Sequence, residues 1–166
     1  LREDAAIDAD PRAPGWHKSE VAPDTDFTVA IIGAGMSGLA AAHRLRQAGI
    51  ECLILEKNAD VGGTWFENTY PGARVDVASH LYSYSFAQTG EWPQFFSDQS
   101  VLLDYFRTCA TKLGLRELIR FETEVVECRF DEDSQQWCLT VRDAPGQLTE
   151  ITASAVVSAV GQLNRP

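Results

Sequence analysis

The chain has 166 residues, about one domain's worth, enough to bury roughly 70% of its unfolded surface in one core. Fourteen Lys and Arg against 24 Asp and Glu give a net charge of −10, so no nucleic-acid partner is expected. No run of about eighteen apolar residues is present, which excludes a helical membrane span and predicts no membrane partner.

The chain opens LREDAAIDADPRAP, acidic where a signal peptide is basic and then apolar. A cytoplasmic location is expected, and an opening on Leu1 rather than Met suggests a piece of something longer. Residues 1–26 hold seven acidic and three basic residues, with Pro11, Pro14 and Pro23 breaking any period. They read as an extended acidic lead-in or linker, with Trp16 as the one candidate anchor.

FTVAII at 27–32 is an almost continuous apolar run, as in a parallel strand covered on both faces. It leads into Gly33-Ala34-Gly35-Met36-Ser37-Gly38, a G-x-G-x-x-G, and then a helix with Gly38, Ala41, Ala42, Leu45 and Ala48 on one stripe. Gly49 closes that helix, ECLIL at 51–55 is the next strand, and Glu56 stands eighteen residues after Gly38. Gly33 suits the tight turn out of the strand. Gly35 lets a pyrophosphate approach the amides at the helix start, and Gly38 lets the helix pack close to the sheet. Glu56 is placed to accept from two ribose hydroxyls. Strand, glycines, helix, strand and carboxylate in register predict an adenine-dinucleotide site, with FAD and NAD both open.

From 57 to 97 the chain is rich in Gly, Pro, Asn and aromatic residues without a sustained period, which suggests a functional loop. Gly62 and Gly63 allow close backbone approach, Thr64 can donate a hydrogen bond, and Trp65 could offer a flat surface or be a core aromatic. Tyr82, Tyr84 and Phe86 alternate as a strand would, the latter two as packing residues. His80 carries no assigned role.

Ser97 or Asp98 can cap a helix over 99–113, with Leu102, Tyr105, Phe106, Cys109 and Leu113 on one face. Residues 121–130 and 136–143 read as an antiparallel hairpin, and ITASAVVSAVG at 151–161 as one buried strand. Cys52, Cys109, Cys128 and Cys138 show no C-x-x-C or zinc spacing and are expected as reduced thiols. His17, His43 and His80 are scattered, so no metal site is expected.

Glu56-Lys57-x-x-x-Val61-Gly62-Gly63-Thr64-Trp65, Asn68-x-Tyr70-Pro71-Gly72-Ala73-Arg74-x-Asp76 and Tyr82-Ser83-Tyr84-Ser85-Phe86 together resemble the FAD domain of Baeyer–Villiger monooxygenases, which are class B flavoprotein monooxygenases. Val160-Gly161-Gln162-Leu163-Asn164-Arg165-Pro166 is similar to a strand-to-loop segment of the same family. Within it, the 4-hydroxyacetophenone monooxygenase type, with an extra region ahead of its FAD domain, is the nearest likeness.

The resemblance implies an α/β, Rossmann-like FAD-binding domain over 27–166, a parallel sheet with helices plus an antiparallel β-meander, and incomplete. It implies FAD and NADPH as cofactors and conversion of a small ketone, with O2, into an ester or lactone. The residues it assigns to the cofactors are Gly33, Gly35, Met36, Ser37, Gly38, Glu56, Lys57, Gly63, Thr64, Trp65, Arg74, Asp76, Tyr82 and Val125. Within that set, Tyr82 would contact the flavin side and Arg74 through Asp76 would border the NADP site. Val125 would meet the adenine through its backbone, a plain strand role being its alternative. Asp76 would have the one supporting catalytic role, orienting an arginine that lies outside this chain, unless it is an ordinary loop acid. The family's F-x-G-x-x-x-H-x-x-x-W/P signature and a second glycine-rich unit would lie beyond Pro166, so the 166 residues alone are expected to be inactive. Two other readings stay open: a flavin enzyme oxidising nitrogen or sulfur, and a non-catalytic dinucleotide-binding module.

Overall fold

A computed structural model describes residue 10 and residues 12–162. The lead-in carries one helical turn, α1 (Lys18–Val21). The first parallel unit follows as β1 (Thr28–Ile32), α2 (Met36–Gln47) and β2 (Glu51–Leu55). After it come α3 (Thr64–Glu67), α4 (Gln99–Lys112), a 3-10 turn over Arg116–Leu118 and β3 (Ile119–Arg120). Strands β4 (Glu124–Asp131), β5 (Gln136–Arg142), β6 (Leu148–Ala153) and β7 (Ala155–Ser158) complete the described chain.

Four strands form a parallel sheet in the order β3-β2-β1-β7, and three form the meander β4-β5-β6. Register runs from Thr28 opposite Glu51 to Ile32 opposite Leu55. Because side chains alternate along a strand, Val29, Ile31 and Ile54 join Leu39 and Ala42 of α2 and Leu102 and Phe106 of α4 in one cluster. Ala30 and Leu55 point the other way and meet Leu139, Val141 and Ala153 of the meander. Helices cover one face and the meander the other, so β1 and β2 have no solvent side and read as unbroken apolar runs. Each fully buried Ile, Leu or Phe here contributes about 1.5–3 kcal/mol.

Four local expectations need correction. The run 151–161 is two strands rather than one: β6 pairs antiparallel with β5, and β7 parallel with β1. Ser154 makes the change of sheet, its N–H donating to the Thr28 carbonyl and its hydroxyl accepting from the Thr28 N–H. Tyr82–Phe86 is a series of turns; Tyr84 and Phe86 both pack inward because their rings stack at 4.7 Å.

In the lead-in, Trp16 is 47% exposed and His17 is the anchor instead. The His17 ring lies against Gly49, the Lys18 N–H donates to the Ala48 carbonyl at 2.7 Å, and Asp10 pairs with Arg44. A helix end leaves carbonyls without partners, and the lead-in supplies one donor. At α4, Asp98 occupies the capping position without capping; its carboxylate takes the Arg74 guanidinium at 2.7 Å. The one-turn α3 and the short β3 left no period in the sequence. Leu163–Pro166, the end of the family-like tail segment, lie outside the described residues, as do residues 1–9 and 11.

Candidate dinucleotide site

The glycine turn leaves β1 and enters α2 at Gly35, which offers no side chain to cap the first amides of the helix. Those amides carry the positive end of the helix dipole and have no intrahelical acceptor. Gly38 has to be glycine: a Cβ there would overlap the Gly33 carbonyl oxygen. The turn is tied to its neighbours by the Gly33 N–H, which donates to the Leu55 carbonyl at 2.8 Å. Met36 and Ser37, both expected at the site, form the first turn of α2 with Gly38.

Gly62 and Gly63 come to the same place. The Gly62 N–H donates to the Ala34 carbonyl at 3.1 Å, and a Cβ on Gly63 would stand 3.1 Å from the Gly35 Cα. Gly63 also has φ +52°, a conformation that L side chains adopt rarely. Two glycines thus face each other across a gap that any side chain would begin to fill. At these two positions no side chain stands over the helix start.

Glu56, only 3% exposed, is the acid at the end of β2. One carboxylate oxygen accepts from the Ala34 N–H at 2.6 Å and the other from the Asn58 N–H at 2.8 Å. The side chain therefore brackets the glycine turn to the loop after β2, a structural role that sequence reading did not anticipate. Each carboxylate oxygen retains acceptor capacity, since a carboxylate offers about four lone-pair sites. Lys57 is half-exposed and pairs with Glu67 at 3.1 Å. Val125 lies in β4, which pairs only with β5 among the described residues, so its other edge is open. A cleft of about 640 Å³ between these elements is lined by Lys57, Asn58, Phe66, Glu122, Glu124 and Arg142.

The expected aromatic surface at Trp65 is absent, because its ring is 8% exposed and sits in the core cluster. Its indole N–H donates to the Tyr82 hydroxyl at 3.1 Å, and the rings meet edge to face at 5.7 Å. The Gln99 side-chain amide donates to the Trp65 carbonyl. Thr64 is exposed at the start of α3. Arg74 is exposed and held by Asp98, while Asp76 is exposed with no hydrogen bond to the described residues. Asp76 is thus not the local cap that a loop acid often is.

Backbone and hydroxyl bonds fix the strip that carries these two residues. The Val75 N–H donates to the Ser97 carbonyl and the Ser79 N–H to the Phe95 carbonyl, while the buried Ser79 and Ser97 hydroxyls lie 2.7 Å apart. The bonds of Ala34, Asn58, Gln99 and Ser79 escaped sequence reading, and Ser97, read there as a candidate helix cap, instead bonds Ser79 and the Gln94 carbonyl; such single contacts leave no period. All four cysteines are free, and burial pushes the thiols of Cys52, Cys109 and Cys128 up, away from reactivity. No helix among the described residues is long and apolar enough to cross a membrane.

A glycine turn at the carboxyl end of the first strand of a parallel sheet, with an acid after the second, defines a Rossmann-like dinucleotide-binding domain. A model of the NAD(P)-binding Rossmann-like domain family matches residues 31–98. Beyond that domain, the chain is similar to Baeyer–Villiger and FAD-binding monooxygenases. A Baeyer–Villiger monooxygenase of Streptomyces coelicolor is 46% identical over 140 residues, which are 83% of this chain and 26% of the relative. The solved structure of an oxidized steroid monooxygenase bound to NADP is 38% identical with a TM-score of 0.71, covering 81% of this chain and 26% of that one. OTEMO in complex with FAD and NADP is 34% identical with a TM-score of 0.76, covering 85% and 26%. The chain thus spans about a quarter of the length of the relatives it matches.

Proposed function

We propose that this chain is the FAD-binding part of an NADPH- and O2-dependent monooxygenase that converts ketones to esters or lactones. The observation that carries it is the meeting of two glycine turns at the uncapped start of α2, beside the Glu56 bracket. The donor set suits an adenine dinucleotide: amides without acceptors for the pyrophosphate, a carboxylate with remaining acceptor capacity for ribose hydroxyls, and an open strand edge at Val125 for the adenine.

In this reading Gly33, Gly35, Met36, Ser37 and Gly38 hold the pyrophosphate, Glu56 and Lys57 the ribose side, and Gly63 and Thr64 the path towards the flavin. Trp65 acts through its N–H, holding Tyr82 in place beside the flavin. Arg74 and Asp76, on the strip pinned by Ser79 and Ser97, face the nicotinamide, and Asp76 orients the arginine that the rest of the enzyme supplies. FAD, when bound, supplies the electron transfer and oxygen activation. The chain binds and orients it and shields it from water. The lead-in ahead of β1 supports the finer placement with the 4-hydroxyacetophenone monooxygenase type.

The test is an absorption spectrum of the full-length protein, followed by NADPH and a panel of ketones with product analysis. A flavin spectrum, bleaching by NADPH and ester formation are expected. A protein without flavin overturns the reading. Bleaching without ester, but with oxidised amines or sulfides, replaces it with nitrogen or sulfur oxidation.

A further inference from the structure

Tyr84 is the buried group that the proposed function leaves without a task. It is 6% exposed, stacked on Phe86 at 4.7 Å and edge-on to Phe106 at 5.7 Å. Packing would explain the ring but not the hydroxyl, which donates to the Met36 carbonyl at 2.6 Å, in the first turn of α2. The backbone is fixed as well: the Tyr84 N–H donates to the Tyr105 hydroxyl at 2.8 Å, and that hydroxyl donates to the Ala87 carbonyl at 2.9 Å. Tyr105 stands on α4, so these two bonds tie the loop backbone to a scaffold helix. Burial pushes the Tyr84 phenol far up, so it stays protonated and a donor at any pH the protein meets.

The Met36 carbonyl belongs to the same peptide unit as the Ser37 N–H, one of the amides without an intrahelical acceptor. A donor on the carbonyl polarises that peptide and makes its N–H a stronger donor in turn. The same bond fixes the tilt of the peptide plane, and therefore where the N–H points.

We infer that Tyr84 is a positioning residue for the dinucleotide: its hydroxyl, through the Met36 carbonyl, orients and strengthens the Ser37 amide that meets the pyrophosphate. The inference rests on the proposed FAD reading and adds a residue that touches no ligand itself.

Two variants of the full-length protein test it, each measured for FAD dissociation constant by flavin fluorescence and for melting temperature without added FAD. Tyr84→Phe keeps the ring and removes only the hydroxyl. Tyr105→Phe removes two hydrogen bonds from the same cluster while leaving the Met36 carbonyl untouched, so it reports what packing loss alone does. Tyr84→Phe is expected to weaken FAD binding about tenfold with a small fall in melting temperature. Tyr105→Phe should lower the melting temperature at least as much, with FAD affinity within about twofold of the unmodified protein. Equal loss of affinity in both variants, or none in Tyr84→Phe, overturns the inference. Absence of FAD from the unmodified protein overturns the underlying reading instead, so the two failures are told apart.

Discussion

The glycine turn at 33–38 and the long segment at 57–98 converge on one site but are held there by different kinds of bond. The first is tied into a sheet: Gly33 continues the ladder to Leu55, and Gly38 lies so close to Gly33 that no side chain fits. The second has almost no ladder and is pinned by single side chains: Glu56 on Asn58, Gln99 on Trp65, Trp65 on Tyr82, Ser79 on Ser97 and Tyr84 on Met36. A region held by backbone repeats fails cooperatively when one member is lost. A region held by separate pins loosens one pin at a time.

That contrast can be broken by substitution. Gly38→Ala should be the most damaging change, since its Cβ meets backbone rather than a movable side chain. A loss of about 3 kcal/mol or more is expected, read as a fall in melting temperature of roughly 10 °C or failure to accumulate as folded protein. Near-normal stability would mean the turn is not constrained by the sheet. Glu56→Gln comes next, because an amide can accept with only one of its two ends. One of the Ala34 and Asn58 N–H groups would be left facing a donor, at a cost of about 2 kcal/mol in denaturant unfolding.

Removing a pin should act locally. Ser79→Ala with Ser97→Ala is expected to cost about 1–2 kcal/mol. Amide hydrogen exchange should rise across 73–98 while β1 and α2 keep their protection. Exchange rising equally in β1 would erase the distinction between the two regions.

The pH dependence sharpens it further at the seam between them. His43 of α2 stacks on Phe86 of the loop at 4.2 Å. Burial first, then the Arg44 guanidinium, hold its imidazole below the usual His range, with Asp10 pulling the other way. An unfolded His takes up a proton near pH ~6.5 and the folded one only lower. The stability His43 contributes is therefore full above about pH 6.5 and is lost as pH falls through the folded value. The stability of the unmodified protein minus that of His43→Phe should fall on acidification from neutrality; a difference independent of pH would rule this out.

The smallest effect belongs to the Arg74–Asp98 pair, exposed on both sides. Asp98→Ala should change stability by no more than about 0.5 kcal/mol, so any loss of NADPH use in that variant would report on Arg74 itself.

The same division explains what could be read in the residues beforehand. β1, α2, β2 and the hairpin announce themselves by period, and Gly35, Gly38 and Glu56 by spacing, because burial on a regular element repeats. Glu56 also shows the limit: its place at the strand end was legible, but not that each of its oxygens also accepts from a backbone amide. Trp65 stayed open between a flat surface and a core aromatic because nothing local tells a tryptophan that its N–H will meet Tyr82 and its face the core. The split at Ser154 was invisible for a different reason. The run from Ile151 continues into β7 without a turn residue, so composition alone could not show that its two ends join different sheets.

That split has one more implication. A single residue separates the last position of the meander, Ala153, from the first of the parallel sheet, Ala155. Ala155 and Val157 pack towards the helices and Val156 towards the meander. Inserting one residue at Ser154 would exchange those two directions along all of β7, whereas inserting two would restore them. The joint between the sheets therefore counts parity. Length changes there should be tolerated in even steps and rejected in odd ones, whatever residues are used.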